Sequence, residues 1–179
     1  MRTEIDSMIQ GPGRRGHSRR LLAHGNPRLV EEIHDPYRTP RKARSPARCS
    51  DCGATYRKGR WTWERLMPPA PASLVCPACR RVRDRYPAGE ITLGGRFFVE
   101  HADEALRLVR NVEDAEHGGH PLHRIMTIAR KGGNAVVTTT DLHLPRRIAH
   151  ALESAWGGTL STHYDEAGYF VRIGWERND

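Results

Sequence analysis

The chain contains no run of apolar residues long enough to span a bilayer, only three phenylalanines, and only four cysteines among its 179 residues. A transmembrane helix needs about 20 consecutive apolar residues, so an integral helical membrane protein is excluded. The opening residues Met1-Arg2-Thr3-Glu4-Ile5-Asp6 begin no apolar stretch of signal-peptide length, so a cytoplasmic, reduced setting is expected. The chain also lacks an HExxH zinc-protease motif, a GxSxG elbow and a P-loop. Ten histidines are present, and His117, His120 and His123 lie close together with Glu116. Their spacing matches no catalytic motif, so they are read as polar loop and strand-start residues and given no role. A non-enzymatic protein without a small-molecule substrate is the expectation.

The cysteines form two CxxC pairs, Cys49/Cys52 and Cys76/Cys79, with 23 residues between the pairs. A CxxC turn presents two thiolates from one tight knuckle, and two knuckles complete a tetrahedral shell. Cys49, Cys52, Cys76 and Cys79 are therefore expected to bind one structural Zn2+, in a ribbon made of a hairpin and a loose loop. Four cysteine ligands leave no open position for water or substrate, so this ion organises the fold and does no chemistry. The competing readings are weaker. A thioredoxin-like use of Cys76-Pro77-Ala78-Cys79 leaves Cys49 and Cys52 unexplained, and two disulfides require an oxidising compartment.

The net charge of +8 is unevenly placed. Residues 1–48 hold eleven Lys/Arg against five Asp/Glu, residues 49–88 eight against three, and residues 89–179 ten against thirteen. The positive excess thus lies in the N-terminal half, the footprint of a polyanion-binding protein. Residues 1–46 read as a flexible basic tail rich in Gly, Pro, Ser and Arg, with a short helix over Arg28–Ile33 as its one candidate element. Within and after it, Arg41, Lys42, Arg44, Arg57, Lys58, Arg60, Trp61, Arg80, Arg81, Arg83 and Arg85 are the candidate nucleic-acid-binding residues. Arginine forks onto phosphate and stacks on bases, and interleaved aromatics such as Trp61 and Trp63 suit RNA. Those tryptophans are equally suited to give a small zinc module the core it lacks.

Residues 47–88 are expected to form the zinc ribbon, with a short helix after Cys79 that ends before Pro87, and residues 89–179 an α+β domain. Ile91 and Leu93 alternate as a strand; Phe98, Ala102, Ala105, Val109 and Val112 recur at helical spacing. Strand-like segments at 125–129 and 135–139 flank the turn Lys131-Gly132-Gly133-Asn134, and Leu144, Ile148, Ala151, Leu152 and Ala155 mark a second helix whose free amides Asp141 can cap. Two final strands surround Asp165–Gly168. The order βαββαββ predicts a loosely ferredoxin-like sheet, antiparallel or mixed, with both helices on one face.

Several stretches carry a resemblance. Cys49-Ser50-Asp51-Cys52-Gly53-Ala54, Gly59-Arg60-Trp61, Cys76-Pro77-Ala78-Cys79, Pro87-Ala88-Gly89, Leu108-Val109-Arg110-Asn111 and His120-Pro121-Leu122-His123-Arg124-Ile125-Met126 look like small bacterial zinc-ribbon proteins labelled nonsense-mediated-decay-like, affecting ribosome stability and mRNA decay. The resemblance runs over about Asp35–Glu176. That group is in turn similar to an archaeal and eukaryotic adaptor of the large ribosomal subunit, which has more CxxC motifs than this chain. The resemblance implies a ribosome or rRNA partner, in ribosome stability, stress or maturation. The expectation is a zinc-ribbon RNA-binding protein that associates with the ribosome or rRNA, its C-terminal domain a second surface for a ribosomal protein. A DNA-binding regulator and a protein-interaction adaptor with a structural zinc are the alternatives.

Overall fold

The computed structural model describes residues 35–39, 43–64, 71–166 and 168–179. The short helix expected at Arg28–Ile33, most of the basic tail, and Arg41 and Lys42 lie outside these residues.

The ribbon is built from strands of two or three residues: β1 (Ala47–Arg48), β2 (Thr55–Arg57), β3 (Arg60–Thr62) and β4 (Ala72–Ser73). They form a mixed sheet in the order β3-β2-β1-β4, in which β1 runs parallel to β4 and antiparallel to β2. Such short strands cannot bury enough surface to hold themselves together, so their stability has to come from what they frame. The helix α1 (Pro77–Asp84) follows directly. Pro77 at its first position suits the fixed backbone angle of proline, and the Cys76 sulfur accepts the Cys79 N–H as an N-cap.

The C-terminal part follows the expected βαββαββ order: β5 (Gly89–Gly94), α2 (Arg96–Gly119), β6 (Ile125–Lys131), β7 (Asn134–Thr139), α3 (His143–Trp156), β8 (Thr159–Tyr164) and β9 (Val171–Glu176). Ile91 and Leu93, Ala135 and Val137, and Val171, Ile173 and Trp175 alternate to one side of the sheet. There they share one core with Phe98, Ala105 and Val109 of α2 and Leu144, Ile148 and Leu152 of α3, so both helices cover the same face. Asp141 serves α3 as expected, its Oδ1 accepting the amides of His143 (2.6 Å) and Leu144 (2.9 Å).

The strand order is β6-β7-β5-β9-β8. In a strict βαββαβ ferredoxin-like arrangement one strand follows the second helix. Here two follow, and the last, β9, inserts beside β5 and runs parallel to it, leaving β8 at the edge. The reason is hydrophobicity: Val171, Ile173 and Trp175 are fully or almost fully buried, whereas β8 is mostly exposed, and the more apolar strand takes the interior place.

Residues of the expected tail also join this unit. The Tyr37 ring is buried against α1 and stacks on Tyr86 at 5.7 Å, and its hydroxyl donates to Asp84 at 2.8 Å. The Ala72 amide donates to the Pro46 carbonyl and that of Lys58 to Ser45 Oγ. Residues 35–39 and 43–46 are thus part of the fold, because one large aromatic side chain and one ion pair give them something to bury.

Candidate metal centre and nucleic-acid interface

The first knuckle leaves β1 at Cys49 and returns through two backbone bonds, Cys49 N to Ala54 O at 2.7 Å and Gly53 N to Cys49 O at 3.0 Å. Gly53 has φ +79°, a conformation that side chains rarely adopt, so glycine is what lets the knuckle close. The second knuckle opens α1. The parallel pairing of β1 with β4, extended by the Leu74 N–H to Arg48 O bond, carries Cys76 back beside Cys49.

The four sulfurs lie within 4.8 Å of one another, and Cys49, Cys76 and Cys79 are buried. Cys49 and Cys79 sulfurs are 3.8 Å apart and those of Cys52 and Cys76 3.7 Å, far longer than a disulfide bond. All four cysteines are free thiols. The arrangement fits one structural metal ion held by four thiolates. Around it, the Cys76 amide donates to Cys49 Sγ at 3.3 Å and the Cys79 amide to Cys76 Sγ at 3.4 Å. Burial pushes the Cys52 thiol up to about 11 and that of Cys76 higher. For Cys49 burial is again the largest influence, but the backbone amides around it together outweigh it and hold the thiol down at about 7. A metal must therefore displace protons from Cys52 and Cys76.

Arg124 completes this centre, and no sequence motif singled it out. It sits just before β6, and its guanidinium donates to Cys79 Sγ at 3.2 Å and Cys76 Sγ at 3.6 Å. Burial works to lower its pKa, but the bond to Cys79 and the charges of Cys79, Cys76 and Cys52 raise it above the ordinary value. Four thiolates around a divalent ion carry a net charge of about −2, and Arg124 offsets part of it. Leu122 packs against the same cluster, and the Trp63 indole donates to the His117 carbonyl at 2.6 Å, so α2 and the segment between α2 and β6 fasten the ribbon to the α+β part.

The basic candidates separate into three environments. Arg57, Lys58 and Arg60 stand exposed on the β2–β3 hairpin, with Arg44 exposed nearby; Arg57 also pairs with Glu64 at 3.0 Å. On α1, Arg83 and Arg85 are exposed, Arg83 pairing with Asp51 of the first knuckle at 2.5 Å. Arg80 is half-buried over the Tyr37 ring and donates to the Pro36 carbonyl. Arg81 turns inward: its side chain is 3% exposed, bonded to Asp35 at 2.7 Å and the Tyr86 carbonyl at 3.2 Å, and lies 4.4 Å from the Tyr37 ring centre. It is a buried clamp for residues 35–37 and presents nothing to phosphate. Trp61 is half-buried against the cysteine cluster, its ring 5.3 Å from Tyr56 and its indole N–H on Thr39 Oγ1.

A cleft of about 660 Å³ lies between the ribbon and the sheet, lined from one side by Gly59 and Trp61 and from the other by His123 and Asp141. His123 Nδ1 is 3.2 Å from Glu116 Oε2, while its ring stacks on His120 at 4.7 Å. Of the three histidines that the sequence left without a role, His123 lines this cleft, His120 stacks on it, and His117 packs against Trp63 instead. Among the described residues no helix is long and apolar enough to cross a membrane. The chain matches no model of a known protein family, no curated protein and no solved structure.

Proposed function

We propose that the protein is a non-enzymatic zinc-ribbon RNA-binding protein that associates with the ribosome or rRNA. The observation that carries this reading is the exposed basic hairpin Arg57-Lys58-Gly59-Arg60, which follows the first knuckle of a four-cysteine centre whose second knuckle opens the helix that leads to the exposed Arg83 and Arg85. Cations held in place by a metal-organised backbone lose little entropy on meeting phosphate, and each phosphate they neutralise releases counterions. Zinc is the ion we assign. Sulfurs about 2.3 Å from a tetrahedral centre stand about 3.8 Å apart, close to the 3.7 and 3.8 Å separations here. The resemblance to bacterial zinc-ribbon proteins linked to ribosome stability supports the same partner, with the C-terminal α+β part as a second contact for a ribosomal protein.

The test is co-sedimentation of the zinc-loaded protein with ribosomes, separated subunits and free RNA over a salt series, beside metal analysis expected to give one zinc per chain. A second reading has its own observation. Val82 and Tyr86 are exposed at 47% and 58% beside Arg85, which suits an adaptor that docks a protein on α1. Binding that ignores both nuclease and salt would favour the adaptor.

A further inference from the structure

We propose that Cys52 is a modification site, the sulfur through which the metal centre reacts with hydroperoxides. The inference concerns the centre alone and is independent of what the basic hairpin binds.

Cysteines that hold a metal do so as thiolates, so the four differ in reactivity by access and by the donors each sulfur already has. Cys76, Cys49 and Cys79 are 0%, 2% and 7% exposed, whereas Cys52 is half-buried. An open depression of about 580 Å³ lies over the first knuckle, lined by Ser50, Asp51, Cys52 and Gly53 and by residues 71–73. Cys49 borders the same depression but is almost fully covered, which leaves Cys52 as the sulfur that solvent reaches there.

The hydrogen bonds point the same way. Cys49 Sγ accepts the amides of Asp51, Cys52 and Cys76. Cys76 Sγ accepts the Cys79 amide and the longer Arg124 contact, and Cys79 Sγ takes the Arg124 guanidinium at 3.2 Å. Among the described residues Cys52 Sγ has one neutral donor, the Ala54 amide. Each donor to a thiolate stabilises charge that an electrophile would otherwise meet, and a charged donor does so more than an amide. Cys52 is therefore both the most accessible of the four nucleophiles and the least restrained. Arg48 adds a cation. It is exposed, and its Nη2 lies 3.3 Å from where a Cβ on Gly53 would stand, over the residue that follows Cys52. A guanidinium there favours the hydroxide that a peroxide expels.

The reaction runs in two steps. The Cys52 thiolate attacks one peroxide oxygen; an S–O bond forms, the O–O bond breaks, and hydroxide leaves, giving the sulfenic acid. The Cys76 thiolate, 3.7 Å away in the opposite knuckle, then attacks the Cys52 sulfur; an S–S bond forms, the S–O bond breaks, and a second hydroxide leaves. The two sulfurs lose two electrons, the peroxide gains them, and two protons from solvent turn both hydroxides into water. Only Cys49 and Cys79 are then left as ligands, so the ion is no longer held and the short strands lose the centre they frame.

The experiment treats the full zinc-loaded chain with hydrogen peroxide, follows released zinc with a chromophoric chelator, and maps oxidised cysteines by peptide mass after trapping sulfenic acid with dimedone. Dimedone should mark Cys52 before any other cysteine. The Cys52–Cys76 disulfide should accumulate in untrapped samples in step with released zinc, and dithiothreitol should restore zinc binding. Cys52→His leaves a shell of three cysteines and one histidine, so it should keep zinc and lose it to peroxide at least about tenfold more slowly. A first label on Cys49, Cys76 or Cys79, zinc lost before Cys52 is oxidised, no reaction at all, or release from Cys52→His at the unsubstituted rate would overturn the proposal. A disulfide from Cys52 to Cys49 or Cys79 would overturn the assigned partner. Should Cys52→His fail to hold zinc, the order of labelling on the unsubstituted chain decides alone.

Discussion

Replacing Arg124 with methionine keeps most of the side chain's length and apolar contact but removes the only guanidinium that reaches the cysteine sulfurs among the described residues. With metal bound, the cluster is anionic and loses a charge-assisted donor to Cys79 and a longer one to Cys76. Hydrogen bonds to charged groups contribute about 1.5–3 kcal/mol, so with one strong and one weak contact the loss should be roughly 2–4 kcal/mol. For a chain of this size that corresponds to a fall of about 6–12 °C in Tm. Without metal the burial-raised Cys52 and Cys76 remain thiols, and Arg124 has little charge to meet. The effect of the substitution should then be small. By linkage, the metal-dependent part of the destabilisation equals the loss of metal affinity, so 2 kcal/mol implies binding about 30-fold weaker. Thermal unfolding of both proteins with and without chelator, and zinc competition against a chromophoric chelator, measure the two sides independently. An equal Tm loss in metal-bound and metal-free protein would refute the pairing of Arg124 with the charged cluster.

Three further outcomes follow from the same geometry. Cys49→Ser should abolish stoichiometric metal binding and destabilise the ribbon to about the level of the metal-free protein, seen as a weakened near-ultraviolet signal from Trp61 and Trp63 and a lower Tm, since metal affinity and folding are coupled in such modules. In the metal-free protein Cys52 is raised from 9.0 to about 11, so the folded state holds that proton more tightly than the unfolded one. Its contribution is present below pH 9 and lost as pH rises toward about 11, and denaturant titrations should show this loss in the metal-free form and not in the metal-bound form. Asp35→Ala leaves the buried Arg81 without its carboxylate and should cost about 3 kcal/mol in denaturant unfolding, whereas Arg83→Gln, on a side chain 58% exposed, should change stability by less than about 0.5 kcal/mol.

What the sequence made legible was whatever local spacing encodes. Two CxxC pairs were enough to assemble Cys49, Cys52, Cys76 and Cys79, and helical periodicity located α2 and α3, because each signal lies within a few turns of chain. The placement of β9 between β5 and β8 was not legible, since it depends on which of two late strands competes better for the core. Nor was Arg124, whose partners Cys76 and Cys79 lie 48 and 45 residues away. The arginines show the limit most clearly. Arg81 and Arg83 read alike in sequence, yet a two-residue step on a helix turns one toward Asp35 and Tyr37 and the other to solvent. Tyr37 was hidden because its basic, proline-rich surroundings have the composition of a tail.

Co-sedimentation with ribosomes over a salt series tests the central claim most directly, with the zinc-loaded protein beside a Lys58, Arg60, Arg83 and Arg85 to Gln variant. Saturable binding to one particle is expected, weakening steeply with salt, and the variant's salt slope should be shallower by about 3 if each cation neutralises one phosphate. Binding absent at low salt, or equally salt-insensitive in both proteins, would contradict it.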